Sequence, residues 1–363
     1  MYAAAFSNLS ASISEDIDDI CGSGLPTLKS GDVFLVYSHM PVRQGYYDGL
    51  PTSPVLFRAW SDADGTTHRD TIVTYPDTDI SSSKEVMNKV LSDVKELFPA
   101  PHYGLVISSH GKGWIPTGYV ENFSLAFDSV GDGSLRTKEI CIENVEGSGI
   151  DVCDLPDALP MYFDYIIMDS CLMGGIETAW EVKDKCRLLL FSPTEILTDG
   201  LAYATMGPLL TNVVNPGIKK VAMEYYEQYN SRSGYYHSAS ITLVDCTKLD
   251  PVAAVCRKLV EKYRIAINNT NAQKVQAYFY NNLHWFFDLK DIFVQAGASE
   301  EELAELDEAL SGAIVYTAST DFFFDLKLER VCGLSMYKPY SILTDLNSFY
   351  QGLSWNQAIG LIQ

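Results

Sequence analysis

Five short runs that are apolar on both faces, each separated from the next by a segment long enough for a helix, restrict this chain more than any other feature. They read DVFLVYS at 32–38, YGLVISS at 103–109, FDYIIMD at 163–169, RLLLFS at 187–192 and ASITLVD at 239–245. A strand that is apolar on both faces is covered on both, and a parallel return needs a crossover about as long as a helix. The segment KEVMNKVLSDVKELF at 84–98 supplies such a crossover: Val86, Val90, Leu91, Val94, Leu97 and Phe98 recur at helical spacing with Lys, Asp and Glu between them. Further helices are expected at 11–21, 174–185 and 219–230. The prediction is an α/β three-layer sandwich, a mostly parallel central sheet with helices on both faces.

After residue 248 the pattern changes to longer helical segments at 250–268 and 299–314, the second opened by Ser299 ahead of three glutamates. CGLSMYKPY at 332–340 reads as a late strand. The organisation expected is therefore a sheet domain over 1–248 and a mainly helical C-terminal region over 249–363 packed on it. TYPDTDISSS at 74–83 is loop-like, and 128–160 is a long irregular stretch.

Charge narrows the partners. With 47 acidic and 26 basic residues the chain carries −21, which repels nucleic acid and anionic membrane and favours cationic substrates. No apolar run approaches the roughly 20 residues a membrane helix needs, and the opening MYAAAFSNLS lacks the pattern of a signal peptide. The eight cysteines include no CxxC pair and no Cys/His cluster at ligand spacing, so no metal site and no cofactor is expected. Pairing of Cys141 with Cys153 stays open. SDADGTTHRD at 61–70 and DSVGDG at 128–133 lack the spacing and closing Glu of a calcium loop and read as turns. A calcium requirement is left open.

In a parallel sheet the carboxyl ends of the strands share one rim, where ligand sites are built from the following loops. Two runs end there on reactive groups: YGLVISSHGKGW delivers His110 and Gly111, and FDYIIMDSCLMGG delivers Cys171. The thiolate is the attacking form of cysteine, and a neighbouring imidazole can generate it. Without a Cβ, Gly111 lets its backbone N–H approach a reacting carbonyl oxygen, and the N–H of Cys171 would complete an oxyanion hole. Buried thiols and strand-end histidines without any catalytic role are common, so spacing alone leaves that alternative standing. Ser109 and Ser170 are rival nucleophiles and His39 a rival base; His68, His102, His237 and His284 are read as structural or surface residues. Asp169, two residues before Cys171, would share its face in a continuing strand, about 7 Å along. A carboxylate there opposes thiolate formation and is better explained as the partner of a substrate cation.

At these residues the chain resembles the clostripain family of cysteine peptidases, in HGKGW at 110–114 and DSCLMGGIETAWE at 169–181, with weaker echoes in NLSASISEDIDDI, SPTEILTDGLAY and CGLSMY. The resemblance implies a caspase-like fold over the sheet domain, a Cys171–His110 dyad and endopeptidase cleavage after Arg, then Lys. It implies a pocket for the basic side chain at Asp169 and at Asp199, which follows the fourth run and should emerge on the same rim. Leu201 stands where the family usually has a tryptophan, and the first strand is shortened. The resemblance also implies export from a bacterial cell and self-cleavage between the two catalytic strands, for which Arg136 and Lys138 are the candidates. Proteins or peptides with basic residues are the expected partners. A catalytically silent module binding basic peptides through an acidic rim is the alternative, disfavoured by the intact Cys–His pair.

Overall fold

The computed structural model describes residues 1–44, 50–119, 149–211, 217–279 and 285–363. In chain order its first strands are β1 (Tyr2–Ala4), β2 (Phe34–His39), β3 (Val55–Ser61), β4 (Thr67–Thr74), β5 (Gly104–Ser108), β6 (Phe163–Asp169), β7 (Cys186–Phe191) and β8 (Ser240–Asp245). The C-terminal region adds β9 (Phe287–Asp288), β10 (Ile314–Ser319), the hairpin strands β11 (Phe322–Phe323) and β12 (Leu326–Lys327), and β13 (Ser335–Met336). Nine of them form one sheet in the order β10-β8-β7-β6-β5-β1-β2-β3-β4. The run β7-β6-β5-β1-β2 is parallel, and an antiparallel pair extends each edge.

All five apolar runs became sheet strands, but ASITLVD did not become a parallel one. β8 runs antiparallel to β7, with Leu188 opposite Asp245 and Phe191 opposite Thr242. Its apolar pattern reports burial on both faces, and burial is blind to strand direction. β4 escaped the sequence reading because it is the edge strand; β3, paired with β2 and β4 and burying Leu56, Phe57 and Ala59, escaped it as well although its pattern is apolar. Most of β4 is exposed and its sequence, THRDTIVT, is largely polar. Within the stretch 61–70, read as a turn, 62–66 form one between β3 and β4, with Asp62 accepting from the backbone of Asp64 and Thr66 at 3.0 and 2.9 Å, whereas 67–70 begin β4.

Helices cover both faces. Ser10–Gly22, Tyr203–Leu210 and Ile218–Asn230 pack on one, where Val106, Tyr165, Ile167 and Leu190 meet Ile13, Ile17, Met206 and Tyr225. Lys84–Leu97, Ile176–Val182 and Leu249–Asn269 pack on the other, against Leu105, Ile107, Ile166, Met168 and Leu189. Of the apolar positions predicted over 84–98, Val90 and Leu91 are buried, joined by Met87, each contributing about 1.5–3 kcal/mol on burial, whereas Leu97 is exposed. Ser83 caps this helix by accepting from the Val86 N–H at 3.3 Å. Ser299 does the same for Glu300–Ala313 in a reciprocal capping box with Glu302.

The C-terminal region is fastened into the sheet domain. β10 pairs with β8, and β13 reaches the loop after β6, where the Ser335 N–H donates to the Gly174 carbonyl at 3.0 Å.

Candidate active site

Asp169 is the last residue of β6 and stands in register with Ser108, the last residue of β5. Neighbouring parallel strands therefore release their loops side by side. The Ser109 N–H donates to the Asp169 carbonyl at 3.4 Å, and the hydroxyls of Ser109 and Ser170 lie 3.3 Å apart. Two residues on, the loops carry His110 and Cys171. A side chain at Gly111 would come within 2.4 Å of the Cys171 carbonyl oxygen and 2.8 Å of its nitrogen, so only glycine permits this backbone approach. Gly113, with φ +57°, repeats the approach against the Leu172 carbonyl.

The chain turns sharply at the thiol. β6 ends at Asp169 and Leu172 adopts a left-handed φ of 61°, a conformation costing a non-glycine residue about 1 kcal/mol. The strand alternation expected to set Asp169 and Cys171 on one face accordingly stops at the strand end. The Cys171 sulfur is wholly buried and accepts from the Ile196 N–H at 3.3 Å. The loop after β7 lies along the turn, with Thr194 and Ser192 carbonyls accepting from Leu172 and Gly174 at 2.9 and 2.7 Å.

His110 is half-buried, and its Nε2 lies 2.8 Å from Oδ1 of Asn8. Asn8 follows β1, the other neighbour of β5, so it reaches the same rim. His39 also ends a strand, but β2 lies beyond β1; this imidazole is buried, bonded through Nδ1 to Ser81 at 2.8 Å and stacked on Phe6. His68 pairs with Asp62 and His102 with Asp164. His284, Cys141, Arg136 and Lys138 lie outside the described residues.

The two aspartates differ sharply. Asp169 is fully buried, and its Oδ2 accepts from the Tyr203 hydroxyl at 2.7 Å and from Ser108 at 3.3 Å. Asp199 is exposed in the turn that closes the loop after β7, and its Oδ2 accepts from Arg232 Nη1 at 2.7 Å. Tyr225 and Tyr229 stand at the inner side of this region with ring centroids 4.9 Å apart. Burial raises both phenols well above their ordinary range; the field of Asp169 acts on each, joined by Cys171 at Tyr225 and by Asp199 at Tyr229. Leu201 is buried.

Several contributors carried little sequence signal. Asn8 sits in the NLS echo, but nothing there announces contact with a residue 102 positions away. Tyr225 and Tyr229 recur at helical spacing, as ordinary core residues do. Glu177 is fully buried, with Oε1 accepting from the Tyr337 N–H at 2.8 Å and the Tyr350 hydroxyl at 2.7 Å; burial raises its pKa to about 7. Lys112, inside HGKGW, donates to Asp151 at 2.8 Å; burial lowers its pKa, and the carboxylate partly offsets this. Trp114 packs on Tyr337 and Tyr350 at 4.5 and 5.0 Å. Among the described residues no group of three or more His, Cys, Asp or Glu is arranged to hold a metal, and no helix is long and apolar enough to cross a membrane.

Comparison with solved structures finds the same architecture along nearly the whole chain. An inactive zymogen C11 protease from Parabacteroides distasonis superposes with a TM-score of 0.81 at 25% identity, over 99% of this chain and 96% of that one. A secreted C11 cysteine protease from Bacteroides thetaiotaomicron, iotapain, gives 0.79 at 22% identity over 99% and 97%, and its complex with an irreversible peptide inhibitor gives 0.78. Comparison with curated protein sequences gives no match. The clostripain family model matches residues 1–319, and with the caspase-like sheet and the cysteine loop in place the chain belongs to the clostripain family of cysteine endopeptidases.

Proposed function

We propose that the chain is a Cys–His endopeptidase that cleaves after basic residues, arginine before lysine. The observation that carries the reading is the approach of the Gly111 backbone to that of Cys171, which sets the imidazole-bearing and thiol-bearing loops against each other. In the reaction His110 takes the proton of the Cys171 thiol, and the sulfur attacks the carbonyl carbon of the scissile bond. The N–H groups of Gly111 and Cys171 receive the developing oxyanion. As the C–N bond breaks, His110 returns the proton to the leaving amine, and water then cleaves the thioester to release the acid. Asn8 holds Nε2; when that nitrogen carries the proton, Nδ1 is left as the basic atom.

Charge supports the P1 assignment. Asp169 is a buried carboxyl group two residues before Cys171, its Oδ2 accepting from the hydroxyls of Tyr203 and Ser108, and a cationic side chain is the substrate chemistry it would favour. A clostripain from Bacteroides thetaiotaomicron, 21% identical over 58% of this chain, is solved with the peptide inhibitor BTN-VLTK-AOMK, whose sequence ends in lysine. Complete burial of the Cys171 sulfur fits a latent form, as the similar Parabacteroides protein is an inactive zymogen. Self-cleavage after Arg136 or Lys138 would then precede full activity, and export is inferred from the secreted relative.

The test compares fluorogenic peptides with Arg, Lys, Asp and Asn at P1, with fragment masses followed in parallel. Turnover of the Arg peptide is expected to vanish in Cys171→Ala and His110→Ala and to survive in His39→Ala, and a cut after 136 or 138 is expected only in active protein. Hydrolysis persisting in His110→Ala would overturn the dyad, and preference for an acidic or neutral P1 would overturn the pocket. Fractionation of expressing cells checks export.

A further inference from the structure

The carboxylate of Asp199 does not wait unpaired for a substrate. Arg232, two residues beyond the helix Ile218–Asn230, donates from Nη1 to Asp199 Oδ2 at 2.7 Å. Its guanidinium also lies 4.7 Å from the ring centroid of Tyr229. The same tyrosine donates its hydroxyl to the carbonyl of Gly200, the residue after Asp199, at 2.8 Å. The Arg232 N–H donates in turn to the Tyr229 carbonyl at 3.0 Å. Acid, arginine and tyrosine thus form one tethered unit at the loop after β7.

We propose that Arg232 is a specificity-determining residue, an internal guanidinium that competes with the substrate's P1 cation for Asp199 and shifts the pocket from arginine toward lysine. The inference rests on the reading that Asp199 faces the P1 side chain. Arginine gains over lysine at a carboxylate by closing a two-bond fork on both oxygens, whereas an ammonium acts as a point charge. With Oδ2 already accepting from Arg232, a fork on Asp199 has to share that oxygen with a second guanidinium, while a single bond from lysine to Oδ1 remains open. The fixed positive charge repels both cations alike, so the weakening of the fork is what separates them. Stacking on Tyr229 keeps Arg232 in place at little added entropic cost.

The experiment measures kcat/KM for matched peptides with Arg, Lys or Gln at P1 in wild type, Arg232→Gln and Arg232→Met, each alone and combined with Asp199→Asn. Removing Arg232 is expected to raise the Arg-to-Lys ratio about three- to fivefold, the scale of an exposed charge-assisted pair, with the Gln peptide unchanged. In the Asp199→Asn background the same substitutions are expected to leave the ratio alone, which a merely structural effect of Arg232 would not do. If wild type prefers basic P1 residues but the ratio is unchanged or falls in both variants, the role of Arg232 is overturned and the P1 pocket stands. If wild type shows no preference for Arg or Lys over Gln, the pocket reading falls and takes this inference with it.

Discussion

Two buried carboxylates bracket the thiol, Asp169 before it and Glu177 after it, and their surroundings differ. Both are completely enclosed and both accept a tyrosine hydroxyl at 2.7 Å. Glu177 is built into the seam between the cysteine loop and the C-terminal region, where the Tyr337 backbone and Tyr350 converge on one oxygen. Burial outweighs those bonds and raises its pKa to about 7. Asp169 ends β6 at the carboxyl rim of the sheet, beside Tyr203, and its field acts on Tyr225 and Tyr229. The contrast teaches that burial of an acid beside a nucleophile does not define a subsite. Position at the rim of the strands, as the last residue of β6, is what sets Asp169 apart and what the proposed P1 role rests on.

The sharpest break is Asp169→Asn. On the proposed role of Asp169 as the buried partner of a substrate cation, its removal is expected to lower kcat/KM for Arg-P1 and Lys-P1 peptides by tens to thousands of fold, the range for a desolvated pair at about 2–5 kcal/mol. Hydrolysis of neutral-P1 peptides and alkylation of Cys171 by iodoacetamide should stay within a few-fold of wild type. An unchanged preference for basic residues would make Asp169 a second structural acid like Glu177.

Glu177→Gln tests the other side through pH. Burial raises the folded pKa from the ordinary 4.5 to about 7, so the folded chain binds a proton that the unfolded chain has released between those values. Stability therefore falls as pH rises through this window, is unaffected below it, and carries the full cost, on the order of 3 kcal/mol, above it. In denaturant melts from pH 4 to 8, Glu177→Gln is expected to flatten this loss while P1 preference stays unchanged. Parallel stability curves for variant and wild type would show that the proton is not held at Glu177.

The smallest effect is expected at Asp199. Exposed and already joined to Arg232, it should lose only about two- to fivefold in basic-P1 kcat/KM on change to Asn, as exposed pairs do. A loss as large as that of Asp169→Asn would mean that the two aspartates act as one buried site.

The reading of the linear chain reached far where a local rule applied. Apolar runs at 34–39, 104–108, 163–169 and 186–191 and the helical period at 84–97 reported burial of consecutive residues, which local periodicity encodes directly. His110 and Cys171 were legible because each follows such a run, and parallel strands release their loops at a common rim. The edge strand β4 left no such mark, because an edge faces water and needs no apolar pattern.

By itself, then, the sequence determined the α/β class, the helices on both faces, the two reactive loops and the aspartate that ends β6, all properties of residues near one another in the chain. Only the tertiary structure decided that β8 runs antiparallel, that Asn8 meets His110, that Glu177 is sealed by Tyr337 and Tyr350, and that Arg232 covers Asp199. These pairings join residues up to 173 positions apart. Their choice depends on which surfaces remain after each helix and strand has buried its own apolar side, a competition settled by packing the whole chain at once.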